Sequence, residues 1–178
     1  KIRGMNTETK VIKFEEGIAL ESGNYLESFE LIVETYGELN KSKSNGVLLC
    51  HAFSGNHHAA GKSEDGSTGW WDQLVGSGKA IDTDKYFVVC CNNLGGCSGS
   101  SGPTSINPQT GKIYGKDFPQ VSVLDWVNSQ KMLSEKLGIN KWHLVIGGSL
   151  GGMQALQWSI SFPDSVNKAG ILAAAAKS

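Results

Sequence analysis

The run Gly147-Gly148-Ser149-Leu150-Gly151 flanks a serine with glycines two residues away on either side. A short apolar segment precedes it and a helical pattern follows, which is the strand, turn and helix setting of a nucleophile elbow. A serine held on such a turn presents its hydroxyl to a carbonyl carbon and forms a covalent acyl intermediate. The turn brings the residues two before and two after the serine close together, and Gly147 and Gly151 leave the room for that approach. Free N–H groups at the helix start then face developing negative charge. A five-residue pattern also arises by chance in a glycine-rich chain, so its context carries the inference. The alternative is a glycine-softened turn with an incidental serine.

A second segment supplies the complementary chemistry. His51-Ala52-Phe53-Ser54-Gly55-Asn56-His57-His58 follows the apolar run Val47 to Cys50. A loop in that position supplies half of an oxyanion hole, the other half coming from the residue after the nucleophile. The expected donors are the backbone N–H groups of Phe53 and Leu150, each worth about 3 kcal/mol to the transition state. Ser54 and Asn56 are candidate substrate contacts on the same loop. His51 reads as a positioned hydrogen-bonding residue beneath the loop, and His143 as a structural residue opening a strand. Adjacent His57 and His58 have neither the helical spacing nor the partners of a zinc site, so no metal is expected. Cys50, Cys90, Cys91 and Cys97 lack a C-x-x-C pair and read as reduced, mostly buried thiols. Cys90 and Cys91, being adjacent in a strand, point to opposite faces. Trp70 and Trp71 read as packing residues. Asp72, Asp82, Asp84, Asp117 and Asp125 are scattered and take solvated or capping roles.

The elements that must hold these groups alternate in period. Val11 to Phe14 and Ile18 to Leu20 predict a hairpin, and Phe29 to Tyr36 a further antiparallel strand. Val47 to Cys50 and Tyr86 to Cys91 are continuous apolar runs, as in strands covered on both faces. Trp70 to Val75 is helix-like. Residues 92–115 are a long stretch rich in Gly, Ser, Pro and Asn, predicted to be a loop lining the site. Val123, Trp126, Val127, Gln130, Leu133 and Leu137 mark an amphipathic helix ended by Gly138. His143 to Ile146 form the strand before the elbow, and Met153, Leu156, Gln157 and Ile160 recur at helical spacing until Pro163. Ala169 to Ala175 form a last strand. This order predicts an α/β-hydrolase fold of the α/β class, with a mostly parallel sheet and N-terminal antiparallel strands.

At 178 residues and 39% hydrophobic, the chain suits one domain. A net charge of −1 with interspersed acids and bases gives nucleic acid or an anionic membrane no electrostatic footprint. The longest apolar run, Ala169 to Ala176, is too short to span a bilayer, and the N-terminal residues lack a signal-peptide core. A cytoplasmic protein acting on small molecules is the expectation.

Beyond these readings, Glu34-Thr35-Tyr36-Gly37-Glu38-Leu39-Asn40, the loop from Cys50 to Gly61, Gly69-Trp70-Trp71-Asp72 and Gly78-Lys79-Ala80-Ile81-Asp82-Thr83 recur in a fixed order with three later segments. These are Asn93-Leu94-Gly95-Gly96-Cys97, Gly102 to Pro108 and Gly147 to Gly152. Together, over nearly the whole chain, they resemble the homoserine O-acetyltransferase family. The resemblance implies a ping-pong acyltransferase of methionine biosynthesis. Ser149 would take the acetyl group from acetyl-CoA, a co-substrate rather than a bound cofactor, and pass it to the hydroxyl of L-homoserine. At Phe53 and Ser54 the family usually has Leu-Thr, so acetyl versus succinyl donor and homoserine versus serine acceptor stay open.

Family members are longer, with a helical lid after the strand matching Ala169 to Ala175 and then the strands bearing the triad Asp and His. The resemblance therefore implies that residues 1–178 are the N-terminal part of a single α/β-hydrolase domain, the lid and the last strands lying beyond it. Removing a triad base costs on the order of 10⁶ in turnover, so residues 1–178 alone are expected not to turn over acetyl-CoA. A sheet ending there exposes an apolar edge, which the rest of the protein or a second copy, as in a homodimer, would cover. Two other readings fit the same residues: an esterase or thioesterase of this fold, and a non-catalytic binding or assembly module.

Overall fold

The computed structural model describes residues 5–176; residues 1–4, which belong to the segment read for a signal-peptide core, and residues 177–178 lie outside the described residues. In chain order the elements are β1 (Thr7–Phe14), β2 (Ile18–Ala19), β3 (Tyr25–Leu26), β4 (Phe29–Tyr36), β5 (Gly46–Cys50), β6 (Val75–Gly76), β7 (Ile81–Asp82), β8 (Phe87–Cys91), α1 (Val123–Leu137), β9 (Leu144–Gly148), α2 (Leu150–Ser161) and β10 (Ala169–Leu172). Six strands form one sheet in the order β1-β4-β8-β5-β9-β10. The first two pairings are antiparallel and the remaining three parallel. This is the expected α/β arrangement, with the antiparallel strands at the N-terminal end of the sheet.

The apolar runs of β5 and β8 are explained by what covers them. Every residue of β5 is buried. Leu48, Cys50, Val89 and Cys91 join Val145 on the face carrying Val127 and Leu133 of α1 and Ala155 and Trp158 of α2. Val47, Leu49, Val88 and Cys90 pack on the opposite face against Ala59, Ala60, Val75 and Ile81, from the long β5–β8 connection. Cys90 and Cys91 thus enter different halves of the core, as alternation along a strand requires.

The helix α1 begins at a reciprocal cap. The Ser122 side chain accepts from the Asp125 N–H, and the Asp125 carboxylate accepts from the Ser122 N–H. Asp125 also accepts from the backbone of Glu21 at 2.8 Å, so the cap ties the helix to the β2–β3 ribbon. Gly138 ends the helix at φ 71°, a left-handed conformation that glycine takes without steric penalty.

Four expectations change. The predicted hairpin is absent: β1 pairs along its whole length with β4, from Thr7 opposite Tyr36 to Phe14 opposite Phe29, while Ile18–Ala19 pairs with Tyr25–Leu26. Stacked Phe14 and Phe29 rings, 4.5 Å apart, close the long pairing. Trp70 to Val75 makes a single turn instead of a helix. The Trp70 and Trp71 N–H groups donate to the carbonyls of His58 and Ala59, and the Asp72 carboxylate holds the Gly61 N–H, so the segment is bound to its neighbour. The last strand stops at Leu172, and Ala173 takes φ 46°. Finally, part of the 92–115 loop completes the sheet. The Ser101 N–H donates to Glu30 O, and the Ser100 and Ser101 hydroxyls accept from the Ile32 and Glu30 N–H groups, completing β4 where β8 has ended.

At the other edge of the sheet, β10 is paired on one side only among the described residues, with Ile171 and Leu172 over 40% exposed. No helix among the described residues is long and apolar enough to cross a membrane.

Candidate active site

At the carboxyl end of β9 the chain reverses direction in one residue. Ser149 sits at φ 53°, ψ −121°, a conformation that L-residues rarely adopt and that costs of order 1–3 kcal/mol. The turn is held on both sides. The Ser149 N–H donates to Leu172 O at 2.9 Å, and the Ser149 carbonyl accepts from Met153 N–H in the first turn of α2. Its side chain makes no helix-capping bond and the residue is exposed. The two glycines are required by contact: a Cβ on Gly147 would lie 2.4 Å from the Gly151 backbone, and one on Gly151 would lie 2.0 Å from Cys50 O. The elbow is therefore pressed against the end of β5, where the second segment begins.

Beyond β5, Ala52 to Gly55 form a tight turn closed by the Gly55 N–H donating to Ala52 O at 2.9 Å. Phe53 occupies its second position with its side chain 90% exposed. Neither the Phe53 nor the Leu150 N–H donates a hydrogen bond among the described residues, so both are free for an incoming oxygen. Ser54 is exposed on the same turn. Asn56 is more committed: its Oδ1 accepts from His58 N–H, and its carbonyl accepts from Trp70 Nε1 at 2.9 Å.

His51 anchors the near side of the turn. Its Nε2 lies 3.0 Å from the Asn93 N–H, which must donate, so Nδ1 carries the proton and donates to Ala52 O at 2.7 Å. Burial lowers the imidazole's pKa, consistent with a neutral ring in this arrangement. His143 is remote in role, stacked on Tyr86 with its N–H donating to Gly46 O.

Two glutamines behind the elbow were not singled out for a site role by sequence reasoning. Gln130 and Gln154 are buried between α1, α2 and β5. The Trp158 Nε1–H donates to Gln130 Oε1 at 2.8 Å, Gln130 Nε2 donates to Gln154 Oε1 at 2.7 Å, and Gln154 Nε2 donates to the carbonyls of His51 and Leu150. This directional chain joins both sides of the candidate oxyanion hole. The available signal was Gln130 itself, an amide inside the apolar stripe of α1.

Chemically, the arrangement offers an exposed serine on a strained turn, and two N–H groups, of Leu150 and Phe53, that make no hydrogen bond among the described residues. Ser149 Oγ hydrogen-bonds to no imidazole or carboxylate among the described residues. Nor is there a group of three or more His, Cys, Asp or Glu side chains among them able to hold a metal ion.

Residues 45–177 match a family model described as alpha/beta hydrolase fold. Over 168 residues the chain is 61% identical to a homoserine O-succinyltransferase of Neisseria gonorrhoeae, covering 93% of this chain and 44% of that protein. Its structure resembles that of esterase E22, with 43% identity and a TM-score of 0.84, covering 90% of this chain and 46% of that one. It also resembles a homoserine O-acetyltransferase from Bacillus anthracis, with 39% identity and a TM-score of 0.84, covering 94% and 46%. The chain thus spans less than half the length of each of these relatives.

Proposed function

The chain belongs to the alpha/beta hydrolase fold family, and from that premise we propose that the intact protein is a homoserine O-acyltransferase acting through an acyl-Ser149 intermediate. The observation that carries the reading is Ser149 at φ 53° on the strand–turn–helix elbow, with the N–H groups of Leu150 and Phe53 making no hydrogen bond among the described residues. In the first half-reaction Ser149 Oγ attacks the thioester carbonyl of acyl-CoA while its proton passes to a base. The oxyanion forms facing Leu150 and Phe53. The C–S bond then breaks, and the thiolate takes up the proton as free CoA. In the second half the hydroxyl of L-homoserine attacks the acyl-serine, giving O-acyl-homoserine and restoring Ser149. The reading assigns the base and its orienting carboxylate to residues outside 5–176. Exclusion of water lets a hydrolase-type site act as a transferase.

Acetyl-CoA was the donor expected from the motifs. The 61% identity to a relative named as a succinyltransferase favours succinyl-CoA, and acetyl-CoA is the second choice. The product would be an intermediate of methionine biosynthesis. To test this, the intact protein is incubated with each acyl-CoA without homoserine, and the peptide carrying Ser149 is weighed. A succinyl adduct that is discharged to O-succinyl-homoserine when L-homoserine is added supports the reading. An adduct from acetyl-CoA alone moves the donor to acetyl. No adduct on Ser149 with either donor overturns the proposal.

The likeness to esterase E22 favours a second reading, hydrolysis of small esters. It predicts that acyl-Ser149 is lost to water at a rate that L-homoserine leaves unchanged.

A further inference from the structure

A buried polar cluster lies outside the candidate site, on β4 and at the far end of the Phe53 loop. Glu34, only 5% exposed, has three donors. His58 Nδ1 lies 2.8 Å and the Tyr36 hydroxyl 2.6 Å from Oε1, and the Thr9 hydroxyl lies 3.1 Å from Oε2. Burial pushes the Tyr36 phenol's pKa well up, so it stays protonated and donates. The same phenolic oxygen accepts from the backbone N–H groups of Ala59 and Ala60, at 2.8 and 3.1 Å. It thus joins a β4 carboxylate directly to loop backbone. Just before it, the Asn56 carbonyl is held by Trp70 Nε1 and lies 3.6 Å from Cys90 Sγ.

The loop from His51 to Ala60 is therefore fixed at two ends. Its near end is held by the pairing of β5 and by His51 on Asn93, and its far end by the Glu34 cluster. Between them lies the Ala52–Gly55 turn, whose Phe53 N–H makes no hydrogen bond among the described residues. A donor preset before reaction costs no reorganisation when the oxyanion forms, whereas one on a free loop must first be ordered. Carboxylate hydrogen bonds are the stronger kind, which suits a fixed anchor.

We propose that Glu34, Tyr36 and His58 are positioning residues for acyl transfer, holding the far end of the 51–60 loop so that the Phe53 N–H is set in advance where the oxyanion develops. The inference rests on the acyl-Ser149 reading above. The cluster touches no reacting atom, so its effect falls on the rate of acylation and not on the capture of the acyl donor.

The experiment uses the intact protein, with Glu34→Gln as the near-isosteric variant and Tyr36→Phe beside it. Thermal unfolding first establishes that each is folded. The burst of acyl-Ser149 is then followed against concentration of the acyl donor that labels the unsubstituted protein, or of p-nitrophenyl acetate if neither acyl-CoA does. The expected result is an acylation rate constant at saturation lower by about 10- to 100-fold, the half-saturating concentration moving less than about twofold. Backbone amides of residues 52–60 should exchange with solvent faster in both variants. A folded Glu34→Gln protein acylating at the unsubstituted rate overturns the proposal. So does a raised half-saturating concentration with an unchanged rate constant, or a Glu34→Gln protein that does not fold, which would make the cluster a stability element alone. If Tyr36→Phe does not fold, Glu34→Gln decides. Failure of the unsubstituted protein to acylate Ser149 by either reagent overturns the acyl-transfer reading, and this inference with it. Acylation unaffected by the variants overturns only this one.

Discussion

Gln154 donates its side-chain amide to the carbonyl oxygen of His51 across 3.2 Å, joining the helix that follows Ser149 to the strand end that precedes Phe53. The same amide group receives the Gln130 Nε2–H on its oxygen at 2.7 Å, so it closes a buried chain of donors running from Trp158. Replacing it with an apolar side chain of similar size orphans donors and acceptors that water does not reach. Gln154→Leu should therefore destabilise the fold by about 2–4 kcal/mol, since each unsatisfied buried group costs about 1–3 kcal/mol. For a chain of this size that corresponds to a thermal midpoint lower by roughly 5–15 °C. A midpoint within about 2 °C of the parent's would mean the network contributes nothing to folding.

Strain and crowding at the elbow make opposite predictions two residues apart. Ser149→Gly removes the nucleophile and also relieves a φ of 53°. The strain is of order 1–3 kcal/mol and glycine's extra unfolded-state freedom offsets about 0.5–1 kcal/mol, so a net gain near 1 kcal/mol is expected. Gly151→Ala puts a Cβ 2.0 Å from Cys50 O, a backbone atom of a central strand that has little freedom to yield. Its cost should be about 4 kcal/mol or more, or failure to fold. Urea titration of the two proteins checks this: midpoints moving in the same direction would contradict the strained-elbow geometry.

Which parts of this molecule could be read from its residues follows from the range of the forces involved. The apolar runs Val47 to Cys50 and Tyr86 to Cys91 made β5 and β8 legible, because burial on both faces leaves a continuous apolar run. The elbow was legible because its glycines answer a local collision, that of Gly147 with Gly151. The pairing of β1 with β4 was not, since nothing within Val11 to Leu20 records that Phe14 will stack on Phe29. Trp70 to Val75 misled for a similar reason. Its helical spacing is real, but a six-residue segment has too little of its own to outweigh backbone bonds to His58 and Ala59. At the site, motif position alone named Phe53 and Leu150 as the expected donors. Gln154 and the Glu34 cluster act only through residues brought together by the fold.

Acidity should weaken the fold through His51. Its Nε2 accepts from the Asn93 N–H, so a proton there would set two donors face to face, and burial depresses its pKa below the ordinary value of about 6.5. Between the depressed folded value and 6.5 the unfolded chain holds more protons than the folded one. Stability is then constant with respect to this group above about pH 6.5 and falls as pH drops through that window. His57, also depressed by burial, adds a slope of the same sign. His51→Gln keeps an acceptor for Asn93 and removes the titration. Unfolding free energy measured from pH 7 down to about pH 5 should thus fall less steeply in this variant than in the parent, without becoming flat. Identical slopes would show that His51 does not titrate on unfolding.

The four cysteines separate by reactivity. Cys50, Cys90 and Cys91 are buried and Cys97 is exposed on the loop after β8. Burial pushes the Cys50 and Cys90 thiols well up in pKa and Cys91 to about 12. The thiolate is the species that alkylates, and a free cysteine ionises near about 8.5. At pH 8 the Cys91 thiolate is therefore rarer than that of a free thiol by roughly a thousandfold, before access is considered. Brief treatment of the native protein with iodoacetamide, followed by peptide mapping, should label Cys97 and leave the other three unmodified. In denaturant all four should react at similar rates. Native labelling of Cys91 alongside Cys97 would contradict the burial of β8 between the two halves of the core.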